Sequence, residues 1–278
     1  MTKYEKFPIA LTGCRTTNIT LDCCEYDFVI LSDTNIHELL HIDDNYVKIR
    51  NIKTKQDIHS LAPLLQNMEI INDPVWTLVT LKQNVTTVMS KALSLYAKNA
   101  AVDALFYANR SRGVAKNNTL LSSLWLKCAA YYYLEAVIAK NGSIPMPTHM
   151  LTQLRSINED TYNHGIINAN TCLGLERANR SSISRSTKAV IGLKEIVKNH
   201  TEIVVKKVQF LLCSSMYTDC YFYLGYITRN IVIGTAFKQR IMKDYIFIIN
   251  IAMDLTTDQS FLSEFSNEFV NICSTLLR

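Results

Sequence analysis

A chain of 278 residues, 48% hydrophobic and 19% charged, carries enough apolar side chains for a large core, which excludes a disordered or low-complexity protein and leaves room for two domains. The net charge of +5, with a pI near 8.7, permits anionic substrates but falls well short of the concentrated basic surface of a dedicated nucleic-acid binder. Eight cysteines without a Cys-x-x-Cys pair, a charged start without an apolar signal core, and no run of 18 apolar residues predict a soluble, cytoplasmic chain with free thiols and no membrane contact.

The first element is the short apolar run Ile9-Ala10-Leu11, which reads as a buried strand, and Gly13 directly after it lets the backbone turn tightly or approach a ligand. A strand ending on such a turn gathers backbone N–H groups into one small volume, which suits phosphate oxygens. Asp27, fourteen residues after Gly13, heads the next apolar run, Phe28-Val29-Ile30-Leu31, with Glu25 two positions before it. Side chains alternate along a strand, so Glu25 and Asp27 are predicted to share a face, where two carboxylates repel unless a hard cation sits between them. The plainer reading of the same residues is a surface hairpin with a solvated acidic face.

An apolar strand, Gly13-Cys14, a loop, and Glu25-Tyr26-Asp27 on the following strand resemble the core signature of the DNA polymerase β-like nucleotidyltransferase superfamily, in which the corresponding motifs are Gly-Ser and Asp-x-Asp. The resemblance covers about the first 30 residues. It implies that Gly13, Cys14 and Arg15 hold the triphosphate of an NTP and that Glu25 and Asp27 bind Mg²⁺, or Mn²⁺ in its place. A third carboxylate would come from a later strand; Glu69 is preferred, with Asp43 and Asp44 as the other candidates. The implied reaction transfers a nucleoside monophosphate to an acceptor, which could be a protein, a small molecule or RNA. Two departures stand out: Cys14 is a weaker hydrogen-bonding group than serine, and Glu25 is one methylene longer than aspartate. They motivate an alternative, a non-catalytic nucleotide-binding or regulatory protein on a degenerate nucleotidyltransferase fold. A helical interaction module to which the sheet merely docks is a third reading.

Two further strands are predicted at Ile36 to Ile42 and Tyr46 to Ile52, separated by the turn composition Asp43-Asp44-Asn45. Val47 and Ile49 alternate with Lys48 and Arg50, so one face is buried and the other is either solvated or turned toward the acids. Asp57 to Gln66 reads as a short helix interrupted by Pro63, and Met68 to Ile71 as a last strand. Asn72-Asp73-Pro74 is the clearest boundary, and the expected architecture is α+β: a small mixed sheet, the nucleotidyltransferase-like domain 1–73, followed by a helical domain 74–278.

Beyond the boundary the apolar period becomes three and four. Helices are predicted at 84–109, 119–140 (with the aromatic run Tyr131-Tyr132-Tyr133), 148–157, 160–176, 202–228, 231–255 and 258–277. Between them, Arg177 to Lys188 places four cations and four serines in twelve residues, a candidate phosphate or nucleic-acid contact whose plainer reading is a solvated helix entry. Lys238, Arg240 and Lys243 are spaced for an exposed basic face. No P-loop, Gly-x-Gly-x-x-Gly, Gly-x-Ser-x-Gly or His-Glu-x-x-His pattern occurs.

Overall fold

Alternating apolar residues over the first 72 positions build a five-stranded mixed sheet: β1 (Ile9–Thr12), β2 (Tyr26–Leu31), β3 (His37–Ile42), β4 (Asn45–Ile52) and β5 (Glu69–Asn72), in the order β3-β4-β2-β1-β5. The computed structural model describes residues 4–53, 55–157, 160–234 and 239–277, with the backbone alone for 239–243. β1 runs antiparallel to both β2 and β5, β3 antiparallel to β4, and β2 parallel to β4. Asp43 and Asp44, both at positive φ (46° and 61°), form the two-residue turn joining β3 and β4. That conformation matches the twist of a hairpin.

Two apolar layers cover the sheet. On one face Ala10, Val29, Leu31 and Ile52 pack against α1 (Ile58–Leu61), a 3-10 turn carrying Pro63, and the first part of α2 (Thr77–Val114) through Leu78, Val85 and Ala92. The other face holds the smaller cluster Ile9, Ile30 and Ile49, covered by Tyr4, Phe7 and Ile36. α2 starts earlier than periodicity suggests because the Asp73 carboxylate accepts from the Thr77 and Val79 N–H groups, each at 3.0 Å.

The chain divides into two units, Met1–Tyr96 with Gly142–Met146, and Ala97–Asn141 with Pro147–Arg278. α2 begins at Thr77, three residues after Pro74, and its early turns belong to the core of the sheet. The second unit contains the rest of α2 and then α3 (Thr119–Lys140), α4 (Met150–Arg155), α5 (Asn163–Leu173), α6 (Arg180–Ile196), α7 (Glu202–Cys213), α8 (Tyr217–Ile233), α9 (Gln239–Met253) and α10 (Gln259–Thr275). α+β is thus the observed class. The helix expected over 202–228 is broken at Ser214-Ser215-Met216, where Ser215 takes φ +57° and the apolar stripe restarts in α8. Buried Tyr131 and Tyr133 line the interior of this unit, as the aromatic run suggests. No disulfide joins the eight cysteines, all of which lie among the described residues, and of these Cys213 is exposed. No helix among the described residues is long and apolar enough to cross a membrane. The side chains of Lys238, Arg240 and Lys243 lie outside the described residues.

Candidate functional site

β1 delivers the chain to Gly13 at φ +77°, the left-handed region that glycine enters without strain, and a short 3-10 turn (Gly13–Thr16) follows. Thr12 is the register partner of Asp27, and a methyl group placed on Gly13 would lie 3.7 Å from Asp27 Cβ and 3.8 Å from its Oδ2. The sheet thus brings together the two residues that carry the sequence motif. Thr12 reinforces the junction by donating from its hydroxyl to the Asp27 carbonyl at 3.0 Å.

Arg15 does something other than reach outward. Its guanidinium donates to the carbonyls of Asp22 (3.1 Å) and Cys24 (2.8 and 3.0 Å) and lies 4.6 Å over the Tyr26 ring, so it pins the loop between the turn and β2. The Cys14 carbonyl accepts from Thr17 through both its N–H (3.1 Å) and its hydroxyl (2.8 Å), closing the 3-10 turn. Glu25 is half-buried immediately before β2, in step with Asp27.

Asp27 has a cationic partner supplied by the fold: Arg50 Nη2 lies 2.6 Å from Asp27 Oδ2, with the two side chains 27% and 16% exposed. Register explains the contact, since Lys48 is the neighbour of Asp27 and Arg50 that of Val29, placing all four side chains on one face. Glu69 is placed elsewhere. It pairs with Leu11, whereas Asp27 pairs with Thr12, so Glu69 is exposed on the opposite face of the sheet. Asp43 and Asp44 sit exposed in the hairpin turn beyond β4. Of the predicted acids, Asp27 therefore has an arginine beside it and Glu69 faces away, which does not fit a two-metal site built on Glu25, Asp27 and Glu69.

The helical unit holds a charged cluster that pattern reading passed over. Glu135 of α3 and Arg229 of α8 form an ion pair at 2.7 Å with both side chains 4% exposed, and the Tyr226 hydroxyl donates to the same carboxylate oxygen at 2.7 Å. Arg229 also donates to Asn230 Oδ1 (2.7 and 3.0 Å), and its guanidinium lies 4.4 Å from the rings of both Tyr132 and Tyr226. Burial, the largest influence, works against the arginine's charge, but Glu135 together with Tyr226 and Tyr132 outweighs it and holds the pKa above the ordinary value. Burial and then Glu135 push the Asp103 carboxyl up. Closed from solvent, Glu135 and Arg229 read as a structural lock between α3 and α8. The available signal was a lone charge inside each of two apolar and aromatic runs.

Lys127, on α3, is buried and donates to the Leu173 carbonyl at 2.6 Å. Burial first, and Arg177 second, lower its pKa to about 7. Arg177 itself pairs with Asp254 at 3.0 Å, and the Tyr221 hydroxyl lies 3.3 Å from the same carboxylate oxygen. No family model matches the chain, and no curated protein matches it significantly.

Proposed function

We propose that the chain is a nucleotidyltransferase-like protein that binds a nucleoside triphosphate at the Gly13 turn without transferring its nucleotidyl group. The observation that carries this reading is the Arg50–Asp27 contact beside Gly13. A guanidinium on Asp27 already neutralises the carboxylate that transferase chemistry would give to a divalent ion. Glu69, the preferred third carboxylate, lies on the far face. What the same face offers instead suits phosphate: Arg50 and Lys48 as cations, and a glycine turn whose open backbone admits a close anionic neighbour. Mg²⁺ would arrive with the triphosphate. This is the regulatory or nucleotide-binding alternative raised by Cys14 and Glu25, now supported by the position of Arg50.

Calorimetric titration with Mg·ATP and Mg·GTP, together with an assay of pyrophosphate release, tests it. The wild type is expected to bind at micromolar concentration and release no pyrophosphate in the presence of protein, small-molecule or RNA acceptors. Arg50→Gln should weaken binding about tenfold, roughly 1.4 kcal/mol for one charge-assisted contact. Absence of nucleotide binding would refute the reading, as would pyrophosphate release that disappears in Asp27→Asn.

A further inference from the structure

The helical unit contains an open cleft of about 580 Å³ between α6, α8 and α9, within the range of small-molecule sites. Its walls are apolar: Ala189 and Gly192 of α6, the Tyr221 ring of α8, and Ile248 and Ile251 of α9. Two cations of α6, Arg185 and Lys188, stand exposed at its rim. Ser182, Arg185, Ser186, Ala189 and Gly192 recur at three and four, so a single face of one helix supplies both the cations and the apolar floor. This is the Arg177 to Lys188 stretch whose clustered cations and serines suggest an anion contact.

We propose that this cleft binds a small amphiphilic anion, an apolar body bearing one carboxylate or phosphate head that rests against Arg185 and Lys188. The inner polar groups are occupied within the protein. Ser186 donates to the Ala252 carbonyl, Asn250 Oδ1 accepts from the Leu255 N–H at 3.2 Å, and Asp254 is paired with Arg177 at 3.0 Å. The cations at the rim are left to set the potential that a ligand meets. Arg185 donates to the Ser181 hydroxyl at 3.2 Å, a neutral partner, and no ion pair engages it among the described residues. Walls of isoleucine and alanine disfavour a polynucleotide and favour an aliphatic or aromatic body.

Gly192 adds an independent observation. In a helix interior glycine costs about 1 kcal/mol relative to alanine. Neither a positive φ nor crowding requires it here, because nothing lies within 4 Å of the position a methyl group would take. What the missing side chain does is keep the floor of the cleft open.

Fluorescence titration of the full chain with 1-anilinonaphthalene-8-sulfonate, an apolar body with one anionic head, tests the assignment. Displacement by dodecanoate, dodecyl phosphate, dodecanol and inorganic phosphate then defines the ligand. The dye should bind saturably, both dodecyl anions should displace it at least tenfold better than dodecanol, and inorganic phosphate should not. The stronger of the two anions identifies the head. Gly192→Leu should lower dye affinity at least tenfold without lowering the melting temperature, and Gly192→Ala, run alongside, should lower it less. The Arg185→Gln, Lys188→Gln double variant should bring the anions down to the affinity of dodecanol. The proposal fails if the wild type shows no saturable binding or if the folded Gly192 variants bind the dye like wild type. It fails equally if the double variant leaves the preference for anions intact. This cleft and the Gly13 turn lie in different units, so either assignment can fail alone.

Discussion

Replacing Arg229 with methionine removes a buried cation and leaves Glu135 inside the helical unit without its counter-charge. Methionine is shorter but close to arginine in volume, so the loss is mainly one of charge and hydrogen bonds. Three polar contacts go: the 2.7 Å bond to Glu135 and the two bonds to Asn230. The guanidinium's approach to Tyr132 and Tyr226 at 4.4 Å is lost as well. Tyr226 still donates to Glu135, but one neutral hydroxyl does not compensate a carboxylate 4% exposed. Breaking a buried pair by removing one partner costs about 3–5 kcal/mol, whereas replacing both with apolar groups of similar volume is close to neutral. Arg229→Met should therefore lower the melting temperature by roughly 10 °C, at about 2–4 °C per kcal/mol for a unit of this size. Adding Glu135→Leu should restore most of it. Urea denaturation followed by far-ultraviolet circular dichroism on the wild type, both single variants and the double variant closes the cycle. A single-variant loss under about 1 kcal/mol, or a double variant that loses as much as the two singles together, would refute the claim that the pair is a closed lock.

Two other perturbations follow from the same unit. Lys127, lowered to about 7 when folded, is protonated more readily in the unfolded chain across the window from pH 7 to its ordinary value of 10.5, so folding stability rises with pH there. Between pH 7 and pH 9 the wild type should gain about 2 kcal/mol relative to Lys127→Met in urea unfolding, and a flat difference would show that the lysine is solvated. Gly225→Ala should cost about 1–3 kcal/mol, because its methyl would meet the buried Tyr131 hydroxyl that donates to the Phe222 carbonyl at 3.0 Å. Thermal melting beside Gly192→Ala, where open space predicts no loss, checks the contrast.

The sheet was legible because its signals are local. Val47 and Ile49 alternating with Lys48 and Arg50 place β4, and the apolar run before Gly13 places β1. The face of Glu69 was not legible, because Met68, Ile70 and Ile71 surround it without alternation, and its side is set by a pairing with β1 that shifts register between Ile9 and Ala10. The side of Arg50 could be read from its spacing, but its contact with Asp27 depends on a parallel pairing between distant strands. In the helices, the apolar stripe runs on through Ser214 and Ser215, so nothing in the period announces the left-handed turn that separates α7 from α8. Glu135 and Arg229, 94 residues apart, meet only through packing, beyond the reach of any window along the chain.

The Asp43-Asp44 turn also bears on how the sheet assembles. Its two left-handed residues let β3 and β4 zip together with almost no chain to close, whereas β5 must return from residue 72 to reach the start of β1 at residue 9. Closure entropy grows with the length of the intervening chain, so the hairpin is the natural nucleus and the β5 edge the last piece to settle. The Gly13 turn, closed by the pairing of Thr12 with Asp27, spans far less chain than the β5 return and would take shape before that edge does.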